Sequence, residues 1–430
     1  MKKIKVLILF TLFCQSLLGQ QTFDNIPSKY RSLIEENYQI LVREKEYVEG
    51  IISFESNGIY VHPQSNNQLE FVLYYDEIEE FLSWYKDYDM SQIEYLYLRK
   101  GDKSINDKSI YSDIALINPL PHGEKLKVSI DPGHMAGIKE EAIYEDRYVK
   151  FLEGKDTVFF HEAELAYELA YLVKRGLDSL GYEVMLTRNA GSSALGISFQ
   201  EWIKNEYIVD IKTLIANKEI TWGYGGTLIE EKDEKELFNK IYTYLDFRER
   251  VKKINQFNPD LTLSLHLNAY EYGKRDSNGL SELVDKNYSM SFVPGSFVIG
   301  ELKKVPQRID FIRLLVSNNI KESINASVTL QKELENQLNI DSFSEEKHFK
   351  SDMISKYTYK VGEGVFARNL YLTQAVESPI IFSEPLLQDN IEEAKLLAME
   401  NYRKGDIMTS FRIKQLADVY VQSIHNILTK

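Results

Sequence analysis

Three short apolar segments of this chain each run into a side chain that can bind a metal ion or carry a proton. The side chains are His134, which follows Val-Ser-Ile-Asp-Pro-Gly, His266, which follows Leu-Thr-Leu-Ser-Leu, and Glu384, which follows Ile-Ile-Phe-Ser. Short apolar runs bounded by turn residues are typical of buried strands. Because open α/β sheets bind ligands at the carboxyl ends of their strands, these three ends predict one metal-hydrolase site.

Helix-like and strand-like patterns alternate from residue 126 onward. The clearest helix runs from Glu162 to Leu180, where leucines and a valine recur at helical spacing before Gly181. The other predicted elements are strands at 126–130, 182–187, 261–267 and 379–383, and helices at 241–257, 310–338 and 411–428. Such alternation predicts an α/β fold, with a mostly parallel twisted sheet and helices on both faces.

A small α+β segment of unknown role is predicted at 21–120, before the α/β body. Helices are expected at Tyr30–Glu46 and Tyr75–Tyr88, and strands at 50–54, 58–61 and 95–98. The breaker cluster Asn118-Pro119-Leu120-Pro121-His122-Gly123 marks its end, so the second domain is predicted at 124–430.

Two long inserts, near 190–240 and 270–308, interrupt the regular alternation of the second domain. Connections this long inside a compact domain tend to be lids, binding walls or disordered segments. We hypothesise that one insert covers the site until a partner protein moves it.

The first residues predict export. Met1–Lys5 is basic and Val6–Phe13 is apolar, too short to span a bilayer, so residues 1–20 are expected to be a cleaved secretory signal peptide. The only cysteine, Cys14, lies inside this segment, and Phe13 before it argues against lipid anchoring. The mature chain then contains no disulfide.

Membranes and nucleic acids are not expected partners. No further apolar run approaches the roughly 20 residues of a membrane helix, which argues against stable membrane insertion. The formal net charge is −14, and removing the lysines of the signal makes the chain more acidic. Nucleic-acid binding depends on neutralising phosphates with basic side chains, so it is not expected.

The residues themselves leave the role of His266 open. Leucines alternate from Leu261 to Leu267, which places Thr262, Ser264 and His266 on the opposite face of the predicted strand. A histidine at this position is either a metal ligand or a hydrogen-bonded core residue. No local zinc motif of the H-E-x-x-H type is present to decide between them.

From about residue 124 to the end, the chain resembles the type 3 catalytic domain of the zinc-dependent N-acetylmuramoyl-L-alanine amidases. The resembling segments follow the family's order: Ile130–His134, Glu162 ahead of a helix, Gly181–Arg188, Arg250–Asn255 leading into Ser264–Ala269, and Pro379–Asn390 around Glu384. The resemblance implies a hydrolase that cuts the amide between the lactyl group of N-acetylmuramic acid and L-alanine in peptidoglycan.

Carried onto this sequence, the resemblance makes His134, Glu162 and His266 the ligands of one Zn²⁺ ion and Glu384 the catalytic carboxylate. Three protein ligands leave a fourth position open for water, as a catalytic zinc requires. Glu164 is the alternative ligand, and otherwise a solvated acid in the first helical turn. His161 is expected to support the ligands or to be exposed.

Other residues near these motifs are assigned weaker roles. Arg188 and Arg250 match family positions, and we expect both to serve the structure through salt bridges or carbonyl contacts. Ser264 and Asn268 flank His266 and either orient it or cap the strand. One departure from the family is Met135-Ala136-Gly137, since the family usually has glycines after its first histidine.

The resemblance also implies a cellular location and binding partners. Peptidoglycan is the expected substrate, a regulatory envelope protein is a further candidate partner, and the expected location is the periplasm or the exterior. Two alternatives remain at this point. One is a non-catalytic wall-binding or scaffold protein, and the other is a zinc peptidase or deacylase that acts on a different amide.

Overall fold

The computed structural model describes residues 23–63, 68–88, 90–101, 125–270 and 274–429. The predicted signal peptide with Cys14 and the breaker cluster at 118–123 lie outside the described residues. The strands are β1 (Ile52–Phe54), β2 (Gly58–Val61), β3 (Phe71–Tyr74), β4 (Lys127–Pro132), β5 (Tyr148–Glu153), β6 (Asp156–His161), β7 (Glu183–Leu186), β8 (Leu261–Leu265), β9 (Met290–Val293), β10 (Tyr359–Gly362), β11 (Val365–Ala367), β12 (Ile380–Glu384), β13 (Tyr402–Lys404) and β14 (Ile407–Thr409).

The helices cover most of the remaining described chain. They are α1 (Ser28–Leu41), α2 (Lys45–Glu49), α3 (Ile78–Asp87), α4 (Met90–Gly101), α5 (Lys139–Glu145), α6 (Glu162–Ser179), α7 (Phe199–Asn205), α8 (Tyr207–Ala216), α9 (Trp222–Glu231), α10 (Glu234–Glu236), α11 (Thr243–Phe257), α12 (Val305–Val316), α13 (Asn319–Leu338), α14 (Asp352–Tyr357), α15 (Tyr371–Ala375), α16 (Ile391–Leu397) and α17 (Phe411–Leu428). Short 3₁₀ turns form at Phe23–Asn25 and Tyr75–Glu77, and a π-helical turn, Leu237–Tyr242, leads into α11.

A seven-stranded sheet of order β10-β11-β9-β12-β8-β4-β7 forms the centre of the α/β body. The neighbours β12, β8, β4 and β7 all run parallel. Strand β9 is antiparallel to β12, and β10 is antiparallel to β11. The predicted α/β class with a mostly parallel sheet is therefore confirmed.

Helices cover both faces of this sheet. On β12, Ile381 belongs to a buried core that includes Leu169 of α6 and Leu416 of α17. The adjacent Ile380 belongs to a separate core on the other face with Val251 of α11 and Leu372 of α15. Successive side chains of a strand point to opposite faces, so two cores on one strand mean that both faces are packed.

The predicted apolar stripe of α6 is largely confirmed. Its leucines and valine pack into the core against the parallel strands, with Leu165, Leu169, Leu172, Val173 and Leu177 all buried. The last predicted member, Leu180, lies beyond the helix and is 49% exposed. Gly181 has a φ of 93°, a left-handed conformation that ends the helix at little steric cost.

The N-terminal residues form an antiparallel three-stranded sheet, β1-β2-β3, packed with helices. The buried core of this N-terminal segment also contains Phe297 and Phe311, which come from a later part of the chain. Asn37 of α1 reinforces this contact, since its side-chain amide donates to Leu314 O at 3.1 Å and Ser317 O at 2.8 Å. The N-terminal segment is therefore packed against α12, while the predicted domain boundaries stay a prediction.

One predicted element of this segment is wrong. Residues 95–98 lie in helix α4 rather than in a strand, and the strand β3 was not predicted. Ile93, Leu96 and Tyr97 are buried, a spacing of three and four residues that places them on one face of a helix. The run Tyr-Leu-Tyr-Leu alone has a strand-like pattern, whereas Ile93 together with Leu96 and Tyr97 gives helical spacing.

The two predicted inserts are structured in different ways. Within 190–240, helices α7 to α10 build a small core with the following π turn, centred on Phe199, Trp202 and Phe238. Met135 is buried in the same core, which explains a large residue where the family usually has glycine. Within 270–308, β9 joins the interior of the main sheet, so this stretch is not simply a loop.

None of the helices in the described residues combines the length and apolarity needed to cross a lipid bilayer.

A buried cluster of charged side chains lies between α12 and the residues before β12. Asp310 and Arg313 are each 2% exposed, and the Arg313 guanidinium donates to Gln374 O at 2.6 Å. Glu377 accepts a hydrogen bond from the Asn255 amide at 3.0 Å. Burial raises the pKa of Glu377 to about 8, although the nearby Arg313 acts in the opposite direction.

This cluster predicts that stability falls as the pH rises from about 5 to about 8. The unfolded chain loses the Glu377 proton near its ordinary pKa of 4.5, whereas the folded chain retains it up to about 8. Glu377→Gln should therefore flatten the decrease in Tm across this range, by a few degrees at pH 8. Thermal unfolding at pH 5, 6.5 and 8 measures this, with the exposed Glu153→Gln as control. Parallel profiles for the wild type and Glu377→Gln would contradict the prediction.

Candidate metal centre

His134, Glu162 and His266 form one compact cluster, with one potential ligand atom from each all within 4.8 Å of one another. Glu162 Oε1 lies 3.2 Å from His134 Nε2 and 3.1 Å from His266 Nδ1. The three side chains are 19%, 1% and 9% exposed, respectively. A pair of imidazoles and a carboxylate therefore converge on one largely buried point.

The sheet topology brings the two histidines together. His134 follows β4 and His266 follows β8, and these strands are parallel neighbours with Pro132 opposite Leu265. The Gly133 amide donates to Leu265 O at 2.7 Å, which extends the pairing to the loop itself. The carboxyl ends of parallel neighbours meet at one edge of a sheet, so the two imidazoles lie close together.

Glu162 contacts the two histidines from the start of helix α6, which lies outside the sheet. The hairpin β5–β6 ends at His161, and Glu162 is the first residue of α6. Glu162 Oε1 accepts from the Leu267 amide at 3.0 Å, beside His266. Burial raises the pKa of Glu162, but His134 and His266 outweigh it and hold the pKa well below its ordinary value.

The loop that carries His134 is held by two buried arginines. Pro132 O accepts from Arg188 Nε at 3.1 Å and from Arg250 Nη1 at 2.6 Å. Gly133 O accepts from Arg188 Nη2 at 2.9 Å, and His134 O accepts from Arg250 Nη2 at 2.6 Å. His134 has a φ of 58°, a left-handed conformation that persists where surrounding contacts enforce it. The predicted structural role of both arginines is confirmed.

These arginines also connect the loop to the rest of the site. Arg188 Nη2 donates to Ala163 O at 2.7 Å, next to Glu162. Arg250 pairs with Asp131 at 2.8 Å and with Asp246 at 2.5 Å. All of these charged groups are buried, so most hydrogen bonds in the network are shielded from water.

Asp131 is the shared acceptor under the site. Its Oδ1 accepts from Thr187 Oγ1 at 2.6 Å and from Arg250 Nη1 at 2.8 Å, and its Oδ2 accepts from Ser264 Oγ at 3.0 Å. Ser264 therefore joins β8 to β4. Thr262 also joins the two strands, two residue pairs earlier, where its Oγ1 lies 2.7 Å from Ser129 Oγ. The predicted polar face of β8 is confirmed.

Glu145 was not singled out from the sequence, yet it contacts the first histidine. Its Oε1 lies 3.2 Å from His134 Nδ1, so the imidazole is held between Glu145 and Glu162. Burial lowers the pKa of His134, but the two carboxylates outweigh it and raise the pKa to about 9. Acids are frequent between 139 and 146, and nothing in the sequence distinguishes Glu145 from Glu140 or Glu141.

Gln388 is a second contact that sequence reasoning did not identify. Its Nε2 donates to Leu267 O at 2.8 Å and lies 3.3 Å from Glu162 Oε2. Asn268 fixes the same junction through its backbone, because Gln388 N donates to Asn268 O at 2.7 Å. Gln388 lies within the resembling segment 379–390, but only the folded chain shows its contact with Glu162.

Glu384 lies at the same sheet edge as the cluster. Strand β12 is parallel to β8 with Ser383 opposite Leu265, which places Glu384 level with His266. The Phe382 ring stacks on His266 with centroids 4.3 Å apart. Glu384 Oε2 is buried and has no hydrogen-bond partner among the described residues. Burial and the negative charge of Glu162 raise the pKa of Glu384 well above its ordinary value.

The structure places the alternative acid Glu164 outside the cluster. Its side chain is 60% exposed and pairs with His161 Nε2 at 3.3 Å. His161 is 8% exposed and occupies the N-cap position of α6, without a side-chain capping hydrogen bond. Of the three candidates at 161–164, only Glu162 meets the two histidines.

The donor set fits a divalent metal ion. Imidazole nitrogens with one carboxylate suit zinc, and they also accept other divalent ions. His266 Nε2 is buried without a hydrogen-bond partner in the described part of the chain, so the ring is not satisfied by protein groups alone. The residues present can therefore hold such an ion.

Gly133 is predicted to be essential for metal binding. A Cβ atom at this position would lie 2.5 Å from the His266 ring, and the arginine contacts prevent the loop from moving away. Gly133→Ala should lower divalent-metal affinity by about 10- to 100-fold, as loss of supporting contacts does elsewhere. Competition with a chromophoric chelator measures the affinity. Gly223→Ala, which meets no atom within 4 Å, is the control, and unchanged affinity in Gly133→Ala would contradict the prediction.

Several solved amidase structures resemble the chain at low similarity. The CwlD amidase of Clostridioides difficile, solved with the GerS lipoprotein, is 17% identical, with 71% of this chain and 99% of that chain covered and a TM-score of 0.37. Ami1 of Mycobacterium abscessus is 13% identical, with 70% and 98% covered and a TM-score of 0.36. The catalytic domain of CwlV from Bacillus (Paenibacillus) polymyxa is 12% identical, with 71% and 98% covered and a TM-score of 0.35.

No curated protein matches the chain. A family model does match, however, over residues 128–406, which is more than half of the sequence. The matched region begins in β4 and contains the whole cluster described above together with Glu384. The chain therefore belongs to the N-acetylmuramoyl-L-alanine amidase family.

Proposed function

We propose that this protein is an exported zinc enzyme that hydrolyses the amide between the lactyl group of N-acetylmuramic acid and L-alanine in peptidoglycan. The observation that carries the proposal is the meeting of His134, Glu162 and His266 beside Glu384 in a chain of the amidase family. The ligand and catalytic roles below are part of the proposal.

His134, Glu162 and His266 would hold one zinc ion through two nitrogens and one carboxylate oxygen. When bound there, a zinc ion would supply Lewis-acid chemistry, which polarises a carbonyl and makes water easier to deprotonate. Glu145 fixes the His134 ring from behind, and the Leu267 amide fixes Glu162. These contacts preset the directions of the ligand atoms before any ion binds.

Glu384 would transfer a proton from the attacking water to the leaving nitrogen. Hydrolysis requires a group that takes a proton from the attacking water and delivers it to the leaving nitrogen of L-alanine. Glu384 Oε2 has no hydrogen-bond partner among the described residues, and burial with the negative charge of Glu162 raises the Glu384 pKa well above its ordinary value. Its position level with His266, outside the group of His134, Glu162 and His266, supports a role beside the proposed ion and not as a ligand.

The unpartnered carboxyl supports an enzyme over a scaffold protein. A structural zinc site is normally closed by four protein ligands and needs no adjacent base. Leaving a buried carboxyl unpaired costs free energy, so its retention suits a catalytic role. A peptidase acting on another amide would use the same groups, and product analysis separates that alternative.

Different observations support the proposed export and the proposed partners. The basic and apolar residues 1–13 favour a signal peptide and hence a periplasmic or secreted enzyme, and the family favours peptidoglycan as substrate. The regulatory envelope protein stays a prediction. The helical insert α7–α10 is the proposed regulatory element, since it packs directly against Met135 in the His134 loop.

The direct test of the activity is mass spectrometry of products from purified peptidoglycan. The mature protein should release stem peptides that begin with L-alanine, and a chelator should abolish the release. Glu384→Gln should reduce the rate by about 10²- to 10⁴-fold, the usual contribution of general acid–base catalysis. Fragments cut at a different amide, or intact peptidoglycan with zinc-loaded folded protein, would refute the proposed activity.

The neighbouring acids of α6 provide a matched test of the ligand assignment. Glu162→Gln removes the charge that the two imidazoles share, so bound zinc and activity should both fall at least about 100-fold. Glu164→Gln changes an exposed side chain and should leave both unchanged. Zinc content after dialysis and the rate of peptide release are the measurements. Retained zinc in Glu162→Gln would show that the assignment is wrong.

A further inference from the structure

A polar cavity lies beside the main sheet, on the face that carries Phe382 and Glu384. It has a volume of about 220 Å³ and is lined by Ser296, Val298, Glu301, Tyr357, Arg368 and Asn369. Arg368 directly follows β11, and its amide donates to Val293 O at 2.9 Å, which fixes its position at the end of the strand. Because β9 and β11 run antiparallel to β12, Arg368 begins level with Ile380, toward the sheet edge opposite to Glu384.

A row of aromatic rings links this cavity to the site. The Phe382 ring stacks on His266 at 4.3 Å, and Phe292 of β9 contacts Phe382 at 6.0 Å. The Arg368 guanidinium lies 5.3 Å from the Phe292 ring centroid. Phe382 and Glu384 share one face of β12 by strand alternation. Phe292 lies opposite both Phe382 and Phe366, so Arg368, two residues after Phe366, is also on this face.

The Arg368 side chain has no ionic partner in the part of the chain that the structure describes. Its guanidinium forms no hydrogen bond or ion pair with a described residue, although the residue is partly buried. Burial lowers the pKa of Arg368, while Glu384 and Glu301 oppose this. Partly buried arginines are normally paired with carboxylates, so this guanidinium is available for a ligand carboxylate.

The same cavity offers acceptors for a positive group. Asn369 Oδ1 is buried without a hydrogen-bond partner among the described residues. Glu301 also lines the cavity, where its Oε2 accepts from the Val298 amide at 2.9 Å. Glu301 and Arg368 form no ion pair with each other, so both charges remain available for a ligand. A guanidinium, a carboxylate and a neutral amide oxygen in one cavity match a ligand that carries both a negative and a positive charge.

We propose that this cavity binds the free α-amino-acid group of a stem-peptide side chain, with its carboxylate on Arg368 and its ammonium on Glu301 and Asn369. The proposal rests on the proposed amidase function, because it names a further part of that substrate. About four extended residues, at roughly 3.5 Å each, are long enough to follow the aromatic row from Glu384 to Arg368. Arg368 is thus a specificity-determining residue.

Calorimetric titration of the mature protein with two synthetic tripeptides tests the proposal. The peptides are L-Ala-γ-D-Glu-meso-diaminopimelate and L-Ala-γ-D-Glu-L-Lys, which differ only by the carboxylate beside the terminal ammonium. The wild type should bind the first at least about tenfold more tightly, as expected for a charge-assisted pair. Arg368→Gln should reduce this preference to within about twofold, and Arg368→Lys should retain part of it.

Two further variants complete the test. Glu301→Gln keeps an acceptor for Val298 but removes the charge, so it should weaken binding of both peptides through the shared ammonium. Arg175→Gln replaces an exposed arginine of α6 and should leave the preference unchanged. If Arg368→Gln does not fold, a third peptide with the diaminopimelate carboxylate amidated, titrated into the wild type, should bind like the lysine peptide.

Equal affinity of the wild type for both tripeptides would overturn the proposal, as would an unchanged preference in folded Arg368→Gln. Peptide release from peptidoglycan separates the two proposals. Cleavage without any preference between the peptides would retain the amidase and remove the cavity's role. A preference without cleavage would retain the cavity as a binding site and remove the amidase.

Discussion

The buried ion pair between Arg250 and Asp131 determines where the first histidine lies. Asp131 ends the apolar part of β4, and Arg250 reaches it from α11 and then donates to the carbonyls of Pro132 and His134. Removing one partner of a buried ion pair typically costs about 3–5 kcal/mol, because the other charge is left uncompensated. The left-handed conformation of His134 is thus enforced by charges that the fold cannot easily lose.

The strand order of the main sheet brings the His134 loop next to the other residues of the site. Strands β4, β8 and β12 are consecutive parallel neighbours, so His134, His266 and Glu384 reach one edge although they are far apart in sequence. Glu162 completes the set from the start of α6, and Arg188 ties its neighbour Ala163 to the same loop. The two groups differ in strand and not in level, because Glu384 on β12 lies level with the proposed ligand His266 after β8.

Much of this arrangement is predictable because it follows from short-range patterns. Alternating leucines define the buried face of β8, and helical spacing defines the buried face of α6. Strand β9 was not predicted, because Met290–Val293 is short and its pairing partners come from distant parts of the chain. Glu145 and Gln388 were missed for a related reason, since tertiary contacts alone distinguish them from neighbouring polar residues. The signal peptide and the domain boundaries stay predictions.

We propose that His134, Glu162 and His266 hold one metal ion beside Glu384. Diffraction from crystals of the zinc-loaded protein, measured on both sides of the zinc absorption edge, locates the ion. The predicted result is a single anomalous peak within coordination distance of one nitrogen from each imidazole and of a Glu162 oxygen, with Glu384 outside the ligand set. A peak at His161 and Glu164 instead, or a zinc ion coordinated by Glu384 in place of Glu162, would contradict the claim.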